Sequence, residues 1–176
     1  MKFLETLLPG ALIIEPEPQS DARGMFVRTF CAEEFAAHGL ELPIAQCSSS
    51  FNRRSGTLRG MHFQSAPFEE TKLVRCTAGA IHDIILDLRP TSPSFCRWTI
   101  VELSAANRRM VYIPPGIAHG FQTLMDASEV FYQISKPYAP EHARGVRWND
   151  PIFAISWPLH DPILSDRDRS YPDFMP

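Results

Sequence analysis

The sequence predicts an all-β fold, a sandwich or closed barrel of short strands, on three observations. Apolar residues recur with a period of two along most of the chain, the alternation of strands rather than helices. The 16 prolines among 176 residues are about twice the usual share of roughly 5%, and proline removes the donor and backbone freedom that a long helix needs. Turn residues return at close spacing between the apolar runs, as in sandwiches and barrels.

Ten strands are expected in order. Residues 11–15 (Ala-Leu-Ile-Ile-Glu) form a short apolar run, and 25–31 a second one after the turn at Gly24. Residues 32–38 break the pattern as one short peripheral helix, with Glu33 and Glu34 at its start and Gly39 as its stop. Strands then follow at 43–51, 57–64, 72–77, 80–88, 97–103, 110–113, 120–124 and 129–135, each rich in β-branched or aromatic residues or bounded by turn residues. From about 137 onward Pro137, Pro140, Pro151, Pro158, Pro162, Pro172 and Pro176 impose an extended segment that must wrap the barrel or lie on a neighbour. A chain of this length fits one domain over 1–176, burying roughly 70% of its unfolded surface.

Hydrophobic content of 44%, charge content of 21% and a net charge of −3 describe an ordinary globule with no electrostatic case for nucleic acid or an anionic membrane. No segment approaches the roughly 18 consecutive apolar residues of a membrane span, and residues 1–17 show no signal-peptide core. Cys31, Cys47, Cys76 and Cys96 lack zinc-ligand spacing and are expected to be reduced. A cytoplasmic protein with a small-molecule partner is the expectation.

The run Thr57-Leu58-Arg59-Gly60-Met61-His62-Phe63-Gln64 sets a cation and a histidine inside an expected strand. A glycine there marks a bulge or a close backbone approach, and a bulge at Gly60 would bring Arg59 and His62 to one face. Such a pair suits an anionic ligand and a proton transfer. The bland alternative is a hydrogen-bonded structural histidine beside a solvated arginine. A second signal, Tyr112-Ile113-Pro114-Pro115-Gly116-Ile117-Ala118-His119-Gly120-Phe121, delivers a histidine after a rigid proline turn, a feature of double-stranded β-helix (cupin) domains, which are jelly rolls. Many cupins bind a metal there, but the region of His62 supplies one histidine and His82 and Asp83 should point to opposite faces, so no metal is expected.

Seven motifs in register resemble the dTDP-4-dehydrorhamnose 3,5-epimerase family. They are Asp21-Ala22-Arg23-Gly24-Met25-Phe26, the run 58–64, Lys72-Leu73-Val74-Arg75, the stretch from Asp83 to Arg89, the proline turn ending at Phe121, Trp148-Asn149-Asp150-Pro151 and Leu164-Ser165-Asp166-Arg167-Asp168. The resemblance implies a cupin homodimer without a cofactor, acting on a nucleotide-diphosphate 4-keto-6-deoxy sugar. It implies His62 as the base, Asp168 as the carboxylate that holds its tautomer, Lys72 beside the ketone oxygen and Tyr132 as the acid on the opposite face of the ring. Substrate contacts are expected from Arg23, Arg28, Gln46, Arg59, His119 and Tyr138, with Asp83 behind His119 or Lys72. Without the resemblance, Tyr132 is a core aromatic, Lys72 an edge charge and Asp168 part of an exposed polar loop.

Departures from the family pattern cluster at Gln19, where an aromatic is usual, at Arg28 and Ala143, where glutamates are usual, and at Gln46-Cys47-Ser48 in place of Gln-Asp-Asn. They fall on positions that serve the nucleotide rather than the reacting carbons. A CDP- or GDP-linked sugar, or a sugar-nucleotide 3,4-ketoisomerase, therefore stays open beside the dTDP substrate. A metal-dependent cupin or a sugar-binding protein without catalysis are more distant alternatives.

Overall fold

The computed structural model describes residues 1–176. Its elements are β1 (Lys2–Glu5), β2 (Leu12–Glu15), β3 (Gln19–Asp21), β4 (Gly24–Phe26), α1 (Ala32–Ala37), β5 (Gln46–Asn52), β6 (Leu58–Gln64), β7 (Lys72–Ala78), β8 (Ala80–Asp87), β9 (Trp98–Ser104), β10 (Met110–Ile113), β11 (Ile117–Thr123), β12 (Ser128–Ile134), a 3₁₀ turn (Pro140–His142), β13 (Ala143–Gly145) and α2 (Asp166–Ser170). One sheet has the order β1-β2-β10-β7-β12-β5 and the other β13-β6-β11-β8-β9. The two face each other as a jelly roll of the cupin type, the fold expected above.

Alternation along the strands builds the core between the sheets. Val74, Cys76, Val111, Ile113 and Val130 from the first meet Ile81, Ile85, Val101, Leu103, Ile117 and Phe121 from the second, all buried. Each large side chain so buried stabilises the fold by roughly 1.5–3 kcal/mol. Two satellite clusters cover the outer faces. Phe35 of α1 packs with Leu40, Leu42, Leu73 and Tyr112 on the first sheet. On the second, Met61, Ile84, Leu86 and Ala118 lie under Val146 and Phe153.

The proline-rich segment after 137 therefore wraps its own barrel. Trp98 Nε1 donates to the Phe153 carbonyl at 2.8 Å, Gln122 exchanges two bonds with the Leu159 backbone, and Ile163 bonds the backbone of Gly56 and Leu58. At the opposite end of β8, Asp87 is fully buried and accepts from Arg89, Ser92 and Ser94. Burial alone would raise its carboxyl, but these hydrogen bonds outweigh it and hold the group far below the usual range.

Several boundaries differ from the expectation. The strand expected at 25–31 is only the three residues of β4, paired with β3 as an exposed hairpin; residues 27–31 find no partner strand. β11 begins at Ile117 and not at residue 120, so His119 lies within the strand and not ahead of it. β1, β3, β13 and α2 were not expected, since pieces of three to five residues carry too little periodicity to be seen. No helix is long and apolar enough to cross a membrane.

Candidate active site

A cleft of about 430 Å³ opens over β6, β11, β7, β12 and β5, closed on one side by residues following β12. Its geometry starts at Gly60. Across β6 and β11, His62 pairs with His119 and Arg59 with Phe121, so three steps on one strand answer two on the other. The extra residue is a bulge, and it puts Arg59 and His62 on the same cleft wall. Only glycine fits: φ at Gly60 is +139°, and a Cβ there would stand 2.5 Å from Gly120 Cα.

His62 Nε2 lies 2.6 Å from Asp168 Oδ1. A carboxylate accepts, so Nε2 carries the proton and Nδ1 keeps its lone pair. Ser165 caps α2 by accepting from the Asp168 N–H at 3.1 Å, which turns the Asp168 side chain inward, where it is 4% exposed. Burial would raise the Asp168 carboxyl, but His62, the Gly60 N–H and Ser165 together hold it below the ordinary range. Tyr171 crosses His62 edge-on with centroids 6.2 Å apart, packed where Gly145 has no side chain.

A second pair lies deeper. His119 Nε2 is 2.7 Å from Asp83 Oδ2, and both residues are buried. Burial drives the Asp83 carboxyl upward, against the pull of His119 and His82. His82 points the other way, toward Trp157, and no three ligating side chains converge. Tyr132 sits edge-on to His119 with centroids 5.9 Å apart. Burial first, then the Asp83 charge, push its phenol far above the ordinary value, against Arg59. Burial thus favours the protonated phenol over the phenolate.

Lys72 opens β7 at the inner end of the cleft, 2.9 Å from Glu70 Oε1. Gln46 and Tyr138 meet at the rim, where Gln46 Oε1 accepts from the Tyr138 N–H at 3.1 Å. Arg59 is held by Asn52 Oδ1 at 2.8 Å. With Lys72, Lys136, Arg144 and Arg167 it makes five cations against the single carboxylate of Glu70, a potential suited to an anionic ligand.

Arg23 and Arg28 do not line this cleft. Arg23 pairs with Asp21 at 2.6 Å on the exposed hairpin, and Arg28 pairs with Glu34 at 3.2 Å. Glu70, Asn52, Lys136, Arg144, Arg167 and Tyr171 were missed. Arg167 alone carried a signal, its place next to Asp168 in a motif already noted.

A jelly roll with a histidine–carboxylate pair, a buried phenol and an ammonium around one cationic cleft defines a cupin suited to proton-transfer chemistry on an anionic substrate. Residues 5–175 match the family model of dTDP-4-dehydrorhamnose 3,5-epimerase. The chain is 44% identical over 173 residues to the enzyme of that name from Methanothermobacter thermautotrophicus, covering 97% of this chain and 92% of the relative. The Bacillus anthracis dTDP-4-dehydrorhamnose 3,5-epimerase structure, with TDP and PPi bound, superposes with a TM-score of 0.96 at 40% identity, covering 98% of this chain and 99% of that one. The Legionella pneumophila enzyme in complex with dTDP-4-keto-L-rhamnose gives 0.89 at 35% identity, with 95% and 89% covered. The chain belongs to the dTDP-4-dehydrorhamnose 3,5-epimerase family.

Proposed function

We propose that this chain is an isomerase that inverts C3, C5 or both in a nucleotide-diphosphate 4-keto-6-deoxy sugar, as its relatives' names say of dTDP-4-dehydrorhamnose. The observation that carries the mechanism is the 2.6 Å bond of His62 Nε2 to Asp168, which leaves Nδ1 as an oriented base in a cleft shared with Tyr132 and Lys72.

C3 and C5 flank the ketone, so loss of either proton is stabilised as an enolate. His62 Nδ1 takes the proton, the C–H electron pair moves to the C4 oxygen, and Asp168 stabilises the imidazolium. Lys72 supplies a fixed positive charge where the oxyanion develops. Inversion requires the new C–H bond on the other face, and Tyr132 gives its hydroxyl proton there. The His62 imidazolium then releases the abstracted proton to solvent and the phenolate regains one from solvent, which restores both groups. Arg59 and His119 hold the diphosphate and sugar, with Gln46 and Tyr138 at the rim, and Asp83 fixes His119.

Incubation with the 4-keto-6-deoxy sugar in deuterated water is expected to place deuterium at C3, C5 or both. Trying dTDP, CDP and GDP forms side by side tests the nucleotide. A CDP or GDP substrate is the second reading, favoured by Ser48 and Ala143, two departures from the family pattern that do line the cleft. Absence of label with all three would sink the epimerase reading. A homodimer goes with it, in which the exposed hairpin β3–β4 carries Arg23 toward the partner's cleft. A cytoplasmic location also goes with it, supported by four free thiols.

A further inference from the structure

Lys72 is 9% exposed, and an ammonium that deep is unstable unless something compensates its charge. Its Nζ has two protein contacts, Glu70 Oε1 at 2.9 Å and the His62 carbonyl at 3.4 Å. The third N–H is left for the cleft. Glu70 is equally buried, and its other oxygen, Oε2, is shut from water without a partner. Leaving a buried acceptor unmade costs about 1–3 kcal/mol, more when it is charged. A glutamine would offer Lys72 the same oxygen without burying a charge. What a carboxylate adds at this position is its negative charge.

Among the elements around Lys72, no other carboxylate contacts its Nζ. β6 presents His62, β11 His119, β12 Tyr132 and β10 the apolar Ile113 opposite Lys72 in register. Asp83 on β8 is the other carboxyl whose charge acts with Lys72, but it does not touch Nζ, burial drives it toward the neutral acid, and its Oδ2 is spent on His119 while Oδ1 is buried without a partner. We propose that Glu70 is the positioning residue that keeps Lys72 charged and aimed at the substrate oxygen. The target of the ammonium rests on the epimerase reading; its charge and placement rest on the contacts with Glu70 and the His62 carbonyl.

The carboxylate has two opposed effects. It retains the ammonium, and it weakens the field that the ammonium exerts on an enolate. Glu70→Gln should therefore move the alkaline loss of rate to lower pH rather than scale the rate by one factor at every pH. The experiment follows deuterium incorporation over roughly pH 6 to 10, with KM measured alongside. The fall-off in Glu70→Gln is expected at lower pH than in the parent, in kcat rather than KM, with Glu70→Asp restoring the parent profile. The ¹⁵Nζ resonance of Lys72, assigned by its loss in Lys72→Met, is expected to leave the ammonium form at lower pH in Glu70→Gln. Identical Lys72 titrations in parent and variant, or a rate loss uniform across pH, would overturn the proposal. If the parent itself exchanges no deuterium, the epimerase reading falls while the resonance still decides the role of Glu70.

Discussion

At the scale of single residues, the division of labour in the cleft depends on which proton each group holds. Asp168→Asn keeps the shape of the His62 contact but lets an amide donate to Nε2, which favours the wrong tautomer. The expected result is a fall in kcat of about 10³ to 10⁴ with little change in KM, measured by product formation. His62→Ala should abolish solvent exchange at C3 and C5 outright. Tyr132→Phe should separate two steps: deuterium exchange with retained configuration persists, while inversion drops by about 10² or more. Equal inversion in parent and Tyr132→Phe would remove the phenol from the mechanism. His62, Arg59 and His119 were legible in the sequence because polar residues inside apolar strands need a partner. Asp168 was not legible on its own, since the run 165–170 is polar throughout; the Ser165 cap and the tertiary contact with β6 single it out.

At the scale of elements, the bulge in β6 is the device that brings His62 and Arg59 to one cleft wall, and it depends on the approach of two glycines. Gly60→Ala meets Gly120 Cα at 2.5 Å in a left-handed backbone region. A loss of about 2–4 kcal/mol is expected, read as a lowered melting temperature with Arg59 and His62 forced apart. The Asp87 network belongs to the same scale. Its carboxyl lies below its unfolded value of 3.8, so its stabilisation is complete above that value and is lost as pH falls through the lower folded value. Asp87→Asn is expected to lower stability by about 2–4 kcal/mol at neutral pH and to flatten the acid limb of a denaturation curve below about pH 4. The long alternating strands, β7 to β10 and β12, were legible almost to the residue. The hairpin β3–β4 and β13 were not, because three-residue strands are fixed by what they lie against.

At the scale of the whole molecule, five cations are gathered in one cleft of a chain whose net charge is −3. Raising ionic strength should therefore weaken substrate binding while leaving kcat nearly unchanged. The exposed hairpin is expected to find cover in a second copy, so the mass in solution should be about twice 19.9 kDa. Arg23→Ala should weaken substrate binding only in the assembled form. A monomer that binds as tightly as the dimer would remove the hairpin from the site.

His62 and Asp168 stand 106 residues apart in the chain, and the later partner arrives on the last helix. Every strand of both sheets lies at or before Gly145, ahead of α2, so the barrel can close without the helix that completes the His62 pair. Competence is thus a report on the finished wrap. A chain ended after Leu164 should keep the β-sheet circular dichroism of the parent yet release no deuterium-labelled product, and a protease that nicks the tail would silence the enzyme without unfolding it.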